Sequence, residues 1–343
     1  LVWGRQDIKG GQAVRIRLPH PLTDQPEWRD YREVAVVAFR TPEGDTGVPL
    51  EPVKVFSNRE DLDWEQWIRR DKESALSLEA SEEPTWVDVV FKDEVTIRTV
   101  EFPSVRSFSH GWEYDPQVRI KMEALFENQP AKVIASFSLP RSNWQEDKPL
   151  SIGCREAVSK RFRLSITHSR YRIKLNPVTF YAAARKTNWE GEAAWVLREI
   201  KGLEDPDQPE NTRLKKEEIV DITAHCDDQG YLNWEVPPGN WSILRWGHVN
   251  TGMLNGSAPW EATGYECNKL SPVGADTHFS GYIGRLSGEN GPLKGNLLKG
   301  MLMDSWECGT QTWTEEMVKE FRGRRGYNLI PWLPAIAGYI IDS

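Results

Sequence analysis

The sequence predicts an antiparallel β-sandwich followed by a run of β/α units. Up to about residue 202, short segments alternate polar and apolar residues and are separated by Pro and Gly. Beyond residue 218, predicted strands alternate with helices, which indicates parallel pairing. Between the two parts, residues 203–218 are polar and interrupted by Pro206 and Pro209, which is typical of an exposed connection. We therefore divide the chain into residues 1–218 and 219–343.

Period-two alternation marks the strands of the first part, because successive side chains of a strand point to opposite faces. One helix is expected at 61–72, where Trp64, Trp67 and Ile68 share a face. Many short strands with almost no long helical pattern favour a sandwich. The clearest strand segments are 33–39, which is continuously apolar, and 95–99, 118–124, 162–166 and 171–175, which alternate.

The second part mixes both periodicities. Acidic residues open its last helix and arginines close it before Gly326, as the helix dipole favours. Three or four β/α units are too few to close a barrel of eight, so we expect a piece of a longer protein. The predicted strands are 219–222, 242–247, 297–303 (buried) and 339–341, and the helices are 271–286 and 315–325.

Composition excludes several classes of function. The net charge of −8 and the dispersed basic residues argue against a nucleic-acid-binding protein. No apolar run approaches the roughly 20 residues of a membrane span. The 16 Trp outnumber the 11 Phe and the 9 Tyr, which fits a carbohydrate-active protein because indole faces stack on sugars, although β-rich cores also use Trp. The 4 cysteines and 6 histidines show no zinc-ligand spacing.

Three stretches of the second part are expected to deliver polar side chains to one rim. The first starts at His248, the second holds Glu266 and Asn268, and the third holds Asp304 and Glu307. If parallel strands precede them, Glu266 and Glu307 face each other across a pocket. Hydrolysis of a glycosidic bond needs such a pair, one carboxyl to protonate the departing oxygen and another to activate water. The competing interpretation is that each acid is a helix cap or a surface charge.

These residues carry a resemblance. The segment 304–334, which begins Asp-Ser-Trp-Glu-Cys-Gly-Thr-Gln, is similar to glycoside hydrolase family 106, the α-L-rhamnosidases. Shorter matches extend it to residues 33–39, 234–239, 245–248 and 251–252, and to residues 264–266 and 269–270. The resemblance therefore covers most of the chain.

The resemblance implies an inverting hydrolase on a (β/α)8 (TIM) barrel, with an inserted, galactose-binding-like β-sandwich and a calcium ion in the active site. It implies Glu307 as general acid, with the general base expected downstream of Ser343. The carboxylates of Asp304 and Glu266 are hard oxygen ligands of the type that calcium takes. The residues expected to bind substrate are Glu266, Asp304, His248, Asn268, Gln311 and Trp313.

Two departures from the family pattern lie near the expected pocket. The family commonly has Asp where this chain has Asn268, and Asn where it has Thr312. The preferred sugar can therefore differ from rhamnose. The resemblance further implies a periplasmic or secreted protein that acts on plant or microbial polysaccharides. Two other interpretations stay open: a non-catalytic carbohydrate-binding or structural module, and a related hydrolase with another sugar specificity. Residues 1–343 alone are expected to be inactive.

Overall fold

The chain folds into mostly antiparallel sheets with few helices. The structure, a computed structural model, describes residues 1–21, 30–70, 75–102, 118–139, 148–168, 172–198, 200, 203–256, 258–302 and 308–342. Its helices are α1 (Trp64–Ile68), α2 (Trp189–Glu192), α3 (Pro272–Gly281), α4 (Ile283–Ser287), α5 (Met317–Arg325) and α6 (Leu333–Ile336). Within these described residues, no helix is long and apolar enough to cross a membrane.

The strands fall into two groups. Those nearest the middle of the chain are β4 (Lys54–Ser57), β5 (Leu76–Leu78), β6 (Ser81–Thr96), β7 (Thr99–Phe102), β8 (Arg119–Leu125), β9 (Lys132–Ser138), β10 (Leu150–Gly153), β11 (Val158–His168), β12 (Ile173–Leu175) and β13 (Thr179–Tyr181). The others are β1 (Val2–Lys9), β2 (Gln12–Arg17), β3 (Arg32–Arg40), β14 (Leu214–Lys215), β15 (Val220–Asp221), β16 (Tyr231–Val236), β17 (Asn240–His248) and β18 (Ile341–Asp342).

The middle group forms a sandwich. A five-stranded antiparallel sheet of order β4-β6-β11-β8-β9, the sandwich sheet, and a three-stranded sheet of order β10-β7-β13 enclose one core. Alternation decides which side chains enter it: Val89, Phe162 and Ala124 are cross-strand neighbours on the inner face. α1 adds Trp64 and Trp67 to this core, as their shared face predicted. The strands predicted at 118–124, 162–166 and 171–175 are present as β8, β11 and β12, whereas the strand predicted at 95–99 is wrong, because this segment contains the break between β6 and β7.

The second group joins the start of the chain to residues 220–248. A four-stranded sheet of order β1-β17-β3-β15, the terminal sheet, is apolar on both faces. Val36 and Ile243 pack under the β2–β16 pair, and Val37 and Trp246 pack against α6 and the C-terminal residues. Burial on both faces explains why segment 33–39 is continuously apolar. The domain division at residue 218 stays a prediction, and the pairing of β1 and β3 with β17 crosses it.

A buried ionic cluster lies where the chain enters and leaves the sandwich. The Asp45 carboxylate accepts hydrogen bonds from Arg5 at 2.6 Å and from Arg185 at 3.1 Å. Arg5 also donates to the hydroxyl of Tyr339 at 3.2 Å, and the Arg185 guanidinium lies 4.0 Å from the centre of that ring. Four chain segments thus meet at one carboxylate whose side chain is 1% exposed.

Three expectations for the later chain are corrected. The parallel pairing expected beyond residue 218 is wrong for β15, β16 and β17, which pair antiparallel with β3 or β2. Residues 203–218 are not simply an exposed connection, because Gln208, Thr212 and Leu214 are buried. Gln208 donates to the Cys154 carbonyl at 2.8 Å, and β14 pairs in parallel with β18, the one parallel pair among the described residues. The buried strand expected at 297–303 is also wrong for 297–302, which forms no strand and leaves Leu302 89% exposed. An apolar run becomes a buried strand only where another strand pairs with it, and none of the described residues pairs with this segment.

The predicted helices are present. α3 and α4 cover the expected segment 271–286 with a break at Tyr282, and Pro272 opens α3 at a position where its missing N–H costs nothing. α5 ends with three basic residues before Gly326, which adopts a φ of 80° that favours glycine. The alternation of strands and helices needed for a barrel is not seen in the described part of residues 249–342.

Candidate functional site

Two of the three predicted polar stretches contact each other. The Asn268 side-chain amide donates to the Thr314 hydroxyl at 2.9 Å. The Gln311 side chain accepts from the Lys269 backbone N–H at 3.0 Å and donates to the Cys267 carbonyl at 3.0 Å. Residues 266–269 and 308–314, which we call the contact segments, are therefore held together by side-chain amides predicted to bind substrate.

Local turn chemistry fixes Asn268 in this place. Its carbonyl accepts from the Ser271 N–H at 3.2 Å and its side-chain oxygen accepts from the Leu270 N–H at 3.1 Å. This Asx-type turn leads directly into α3 and leaves the amide nitrogen to reach Thr314. An Asp, which the family commonly has at this position, has no such donor. Asn268 is therefore matched to the hydroxyl opposite it.

Glu266 is paired with a cation of the chain itself. Its carboxylate accepts from the Lys269 ammonium, which also donates to the Cys308 thiol at 3.1 Å. Burial disfavours the charge of Lys269, but the hydrogen bonds to Glu266 and Cys308 outweigh it and raise the Lys269 pKa. Cys308 is 4% exposed, which agrees with a small thiol packed behind the site. The sequence analysis includes Lys269 among the residues that match the family but misses its ion pair with Glu266. The i, i+3 spacing of the two residues could have indicated that pair.

His248 and Trp313 lie beside the terminal sheet. His248 is the last residue of β17 and pairs with Arg32, and Trp313 packs against the apolar cluster on the C-terminal side of that sheet. Burial lowers the pKa of His248, and the guanidinium of Arg32 lowers it further. The nearby Arg32–Glu315 ion pair ties β3 to the residues just before α5. Neither His248 nor Trp313 contacts Glu266 by a described hydrogen bond.

The two central predictions, Glu307 and Asp304, lie outside the described residues, so their roles stay predictions. Of the two predicted calcium ligands, Asp304 and Glu266, the described residues include only Glu266. No group of three His, Cys, Asp or Glu side chains in the described part of the chain is arranged to hold a metal ion. Calcium needs six to eight oxygen ligands, whereas the described contacts of Glu266 include an ammonium. The described residues alone do not fit a calcium site, and we derive no step through calcium.

The family described as alpha-L-rhamnosidase matches residues 1–343. The chain belongs to the alpha-L-rhamnosidase family. This confirms the resemblance to glycoside hydrolase family 106.

Two relatives of this rhamnosidase-family chain are informative. It is 41% identical over 135 residues to a protein of Formosa agariphila named "Putative beta-glucuronidase", over 39% of this chain and 12% of the relative. A solved rhamnosidase structure from Novosphingobium sp. PP1Y has a TM-score of 0.72 at 22% identity, and the likeness covers 99% of this chain. The chain spans 32% of that rhamnosidase. At this identity the likeness shows a shared fold.

The rhamnosidase-family chain also contains a second pair of carboxylates, which the sequence analysis missed. Glu101 on β7 lies beside Ser151 on β10, and Ser151 Oγ donates to Glu190 at 2.6 Å. Arg198 also donates to Glu190, at 3.4 Å. Burial and the neighbouring Glu190 charge raise the pKa of Glu101 to about 7. Because Ser151 and Arg198 hold Glu190 inside the fold, we interpret this pair as structural.

Replacing Glu101 by Gln is expected to remove part of the pH dependence of stability. A carboxyl with a folded pKa near 7 and an ordinary unfolded pKa near 4.3 supports the fold below about pH 4 and loses that support as the pH rises to about 7. Glu101→Gln should therefore be more stable than the unmodified protein at pH 8, by about 1–3 kcal/mol, and nearly equal to it at pH 4. Urea unfolding at both pH values measures this. The control is Glu94→Gln, at an exposed position of β6, and an equal effect of Glu101→Gln at both pH values would contradict the prediction.

Proposed function

We propose that this chain is part of an inverting glycoside hydrolase that removes terminal α-L-rhamnose or a closely related sugar from plant or microbial polysaccharides. The observation that carries the proposal is the family match over all 343 residues. The contact segments support it, because the segment 308–314 starts directly after the predicted acid Glu307 and meets the other predicted polar stretch. We further propose that residues 219–343 contribute to a (β/α)8 barrel in the complete protein.

Glu307 is the proposed general acid. An acid must protonate the departing glycosidic oxygen while a second carboxylate activates water from the opposite face, at roughly 6.5–9.5 Å in inverting enzymes. Glu266 is poorly suited as that second group, because an activated water would compete with the Lys269 ammonium for the same carboxylate. We therefore propose a positioning role for Glu266 toward sugar hydroxyls and a general base elsewhere in the complete protein.

Asn268, Gln311 and Trp313 are the proposed sugar-binding residues, with Asp304 and His248 around them. Side-chain amides bind hydroxyls well because one group both donates and accepts. Gln311 already uses both functions to join the contact segments, so any change there alters the shape of the pocket wall. A periplasmic or secreted location is part of the same proposal.

A second candidate is a hydrolase for an acidic sugar. The name of the Formosa agariphila relative, a beta-glucuronidase, indicates a glucuronide as the substrate of that protein. The cation beside Glu266, Lys269, is a group that could pair with a sugar carboxylate. A non-catalytic carbohydrate-binding module is the third alternative, and it predicts binding without turnover.

Hydrolysis by the complete protein tests these alternatives. We expect release of the phenol from an aryl α-L-rhamnoside, with a first-formed sugar of inverted anomeric configuration by NMR, and no hydrolysis of the matching aryl β-D-glucuronide. Cleavage of the glucuronide alone would favour the acidic-sugar hydrolase. Binding of rhamnose-containing polymer without hydrolysis of either substrate would favour the module.

A further inference from the structure

The outer face of the sandwich sheet is a cationic surface on an acidic protein. Cross-strand pairing places Phe56, Asp88, Arg163, Glu123 and Val133 in one row across its five strands. Their sequence neighbours form the inner face and enter the core. Because side chains alternate between faces, every second residue of these strands belongs to the same outer surface.

The charge of this outer face opposes that of the whole chain. The chain carries a net charge of −8. Among the residues in regular cross-strand register, the outer face carries two acidic residues, Asp88 and Glu123, against five basic ones, and Glu123 pairs with Lys121 at 3.0 Å. The basic residues are Lys54, Arg119, Lys121, Arg161 and Arg163.

One buried carboxylate fixes two of the cations. Asp88, whose side chain is 0% exposed, accepts from Arg161 Nε at 2.9 Å and from Arg163 Nε at 2.6 Å. Arg161 and Arg163 keep 43% and 31% of their side chains exposed. One carboxylate cannot neutralise two guanidinium groups. The excess positive charge is therefore at the surface, and the side chains that carry it are already ordered.

Aromatic rings pack against the same two arginines, Arg161 and Arg163, and against Lys54. The Arg163 guanidinium lies 4.0 Å from the centre of the Trp86 ring. Arg161 and Lys54 lie 5.1 Å and 4.6 Å from the centre of the Phe56 ring. These stacks lower the conformational entropy lost when an anion binds, because planar arginines are immobilised in advance.

We propose that the outer face of the sandwich sheet binds an anionic polysaccharide whose charges are carboxylates, as in a chain of uronic acids. Charge complementarity carries the proposal: ordered guanidinium groups match carboxylates in geometry and sign. Phe56, 41% exposed, adds apolar area at the edge of the face. This binding site does not depend on the proposed hydrolysis, and it would hold a polymer next to the catalytic part of the complete protein.

A nucleic acid fits the face less well than a polysaccharide. Single-stranded nucleic acids bind through open aromatic rings on which bases stack. Here a cation already lies over each ring, Arg163 over Trp86 and two basic side chains over Phe56. Carboxylates need only the exposed parts of the cationic groups, and Arg161, Arg163 and Lys121 keep 43%, 31% and 48% of their side chains exposed.

Binding to polygalacturonate at about 0.15 M salt tests the proposal, since exposed charges are only partly screened there. The informative variant combines Lys54→Gln, Arg119→Gln and Lys121→Gln, because these exposed cations can be removed without leaving the buried Asp88 carboxylate unpaired, and within the described residues only Lys121 gives up an ion pair, the one with Glu123 at 3.0 Å. We expect this triple variant to lose at least about tenfold in affinity and to show a weaker dependence on salt. The matched control, Lys9→Gln with Arg15→Gln and Arg17→Gln, removes the same charge from exposed positions on β1 and β2 and should bind like the unmodified protein.

Several results would overturn the proposal. They are absence of binding to polygalacturonate by the folded protein, equal losses in both triple variants, and equal affinity for an uncharged galactan. Preference for dextran sulfate would overturn the assignment to carboxylates. A single-stranded oligonucleotide that binds as tightly, with the same loss in the first triple variant, would show a general polyanion surface instead. Thermal unfolding of each variant establishes that it is folded.

Discussion

Replacing Glu307 by Gln in the complete protein is expected to lower hydrolysis of alkyl-linked rhamnosides by about 10²–10⁴-fold. A general acid matters most when the leaving oxygen is a poor leaving group, because that oxygen must gain a proton as the bond breaks. Aryl rhamnosides with acidic phenol leaving groups should lose far less. The ratio of kcat/KM for the two substrate types, measured for the variant and the unmodified enzyme, therefore reports the role of Glu307.

Glu261→Gln is the control for this experiment, since Glu261 is exposed in the same part of the chain. It should leave both substrates unaffected. A different outcome would assign Glu307 to structure: a small, uniform loss on both substrate types together with a lower melting temperature. In that case Glu307 contributes about 1 kcal/mol as a helix-end charge, and the acid lies elsewhere.

Asp45→Ala is expected to destabilise the protein by about 3 kcal/mol, because it leaves Arg5 and Arg185 without their shared partner in a mostly buried place. Burial alone would raise the pKa of Asp45, but the guanidinium groups of Arg185 and Arg5 lower it below its usual range. A carboxyl with a lowered folded pKa stabilises above its unfolded pKa, near 3.9, and loses that contribution as the pH falls further. The difference in the free energy of unfolding between Asp45→Ala and the unmodified protein should therefore have its full size at pH 7 and become smaller below about pH 4.

Urea unfolding at pH 7 measures the effect, and the exposed pair Arg59–Asp61 supplies the control. Asp61 is 61% exposed in its side chain, so Asp61→Ala should destabilise the protein far less than Asp45→Ala. Equal losses in the two variants would mean that the Asp45 cluster contributes no more than a surface ion pair. Asp45→Asn, which keeps the shape but removes the charge, separates packing from electrostatics.

The sequence by itself determined strands β8, β11 and β12 of the sandwich, helices α1, α3 and α5, and the family. Alternation at 118–124 and 162–166 is a local property of the chain, and burial of one face follows from it directly. The family follows from the order of residues in 304–334, which needs no knowledge of folding. For the segments of Asn268 and Gln311, the sequence predicts only that both lie on one rim, at the ends of strands. It does not predict the hydrogen bonds that join them.

Only the tertiary structure decided which segments pair and which charges are buried. Apolar run 297–302 resembles a buried strand in sequence, yet it lies exposed because no described strand pairs with it. β1 pairs with β17 across more than 200 residues of sequence, and no local pattern encodes such a partner. The same reason applies to Asp45 and Asp88. The sequence around an acidic residue does not show which cation will pair with it when that cation lies on a distant strand, and the fold decides the pair.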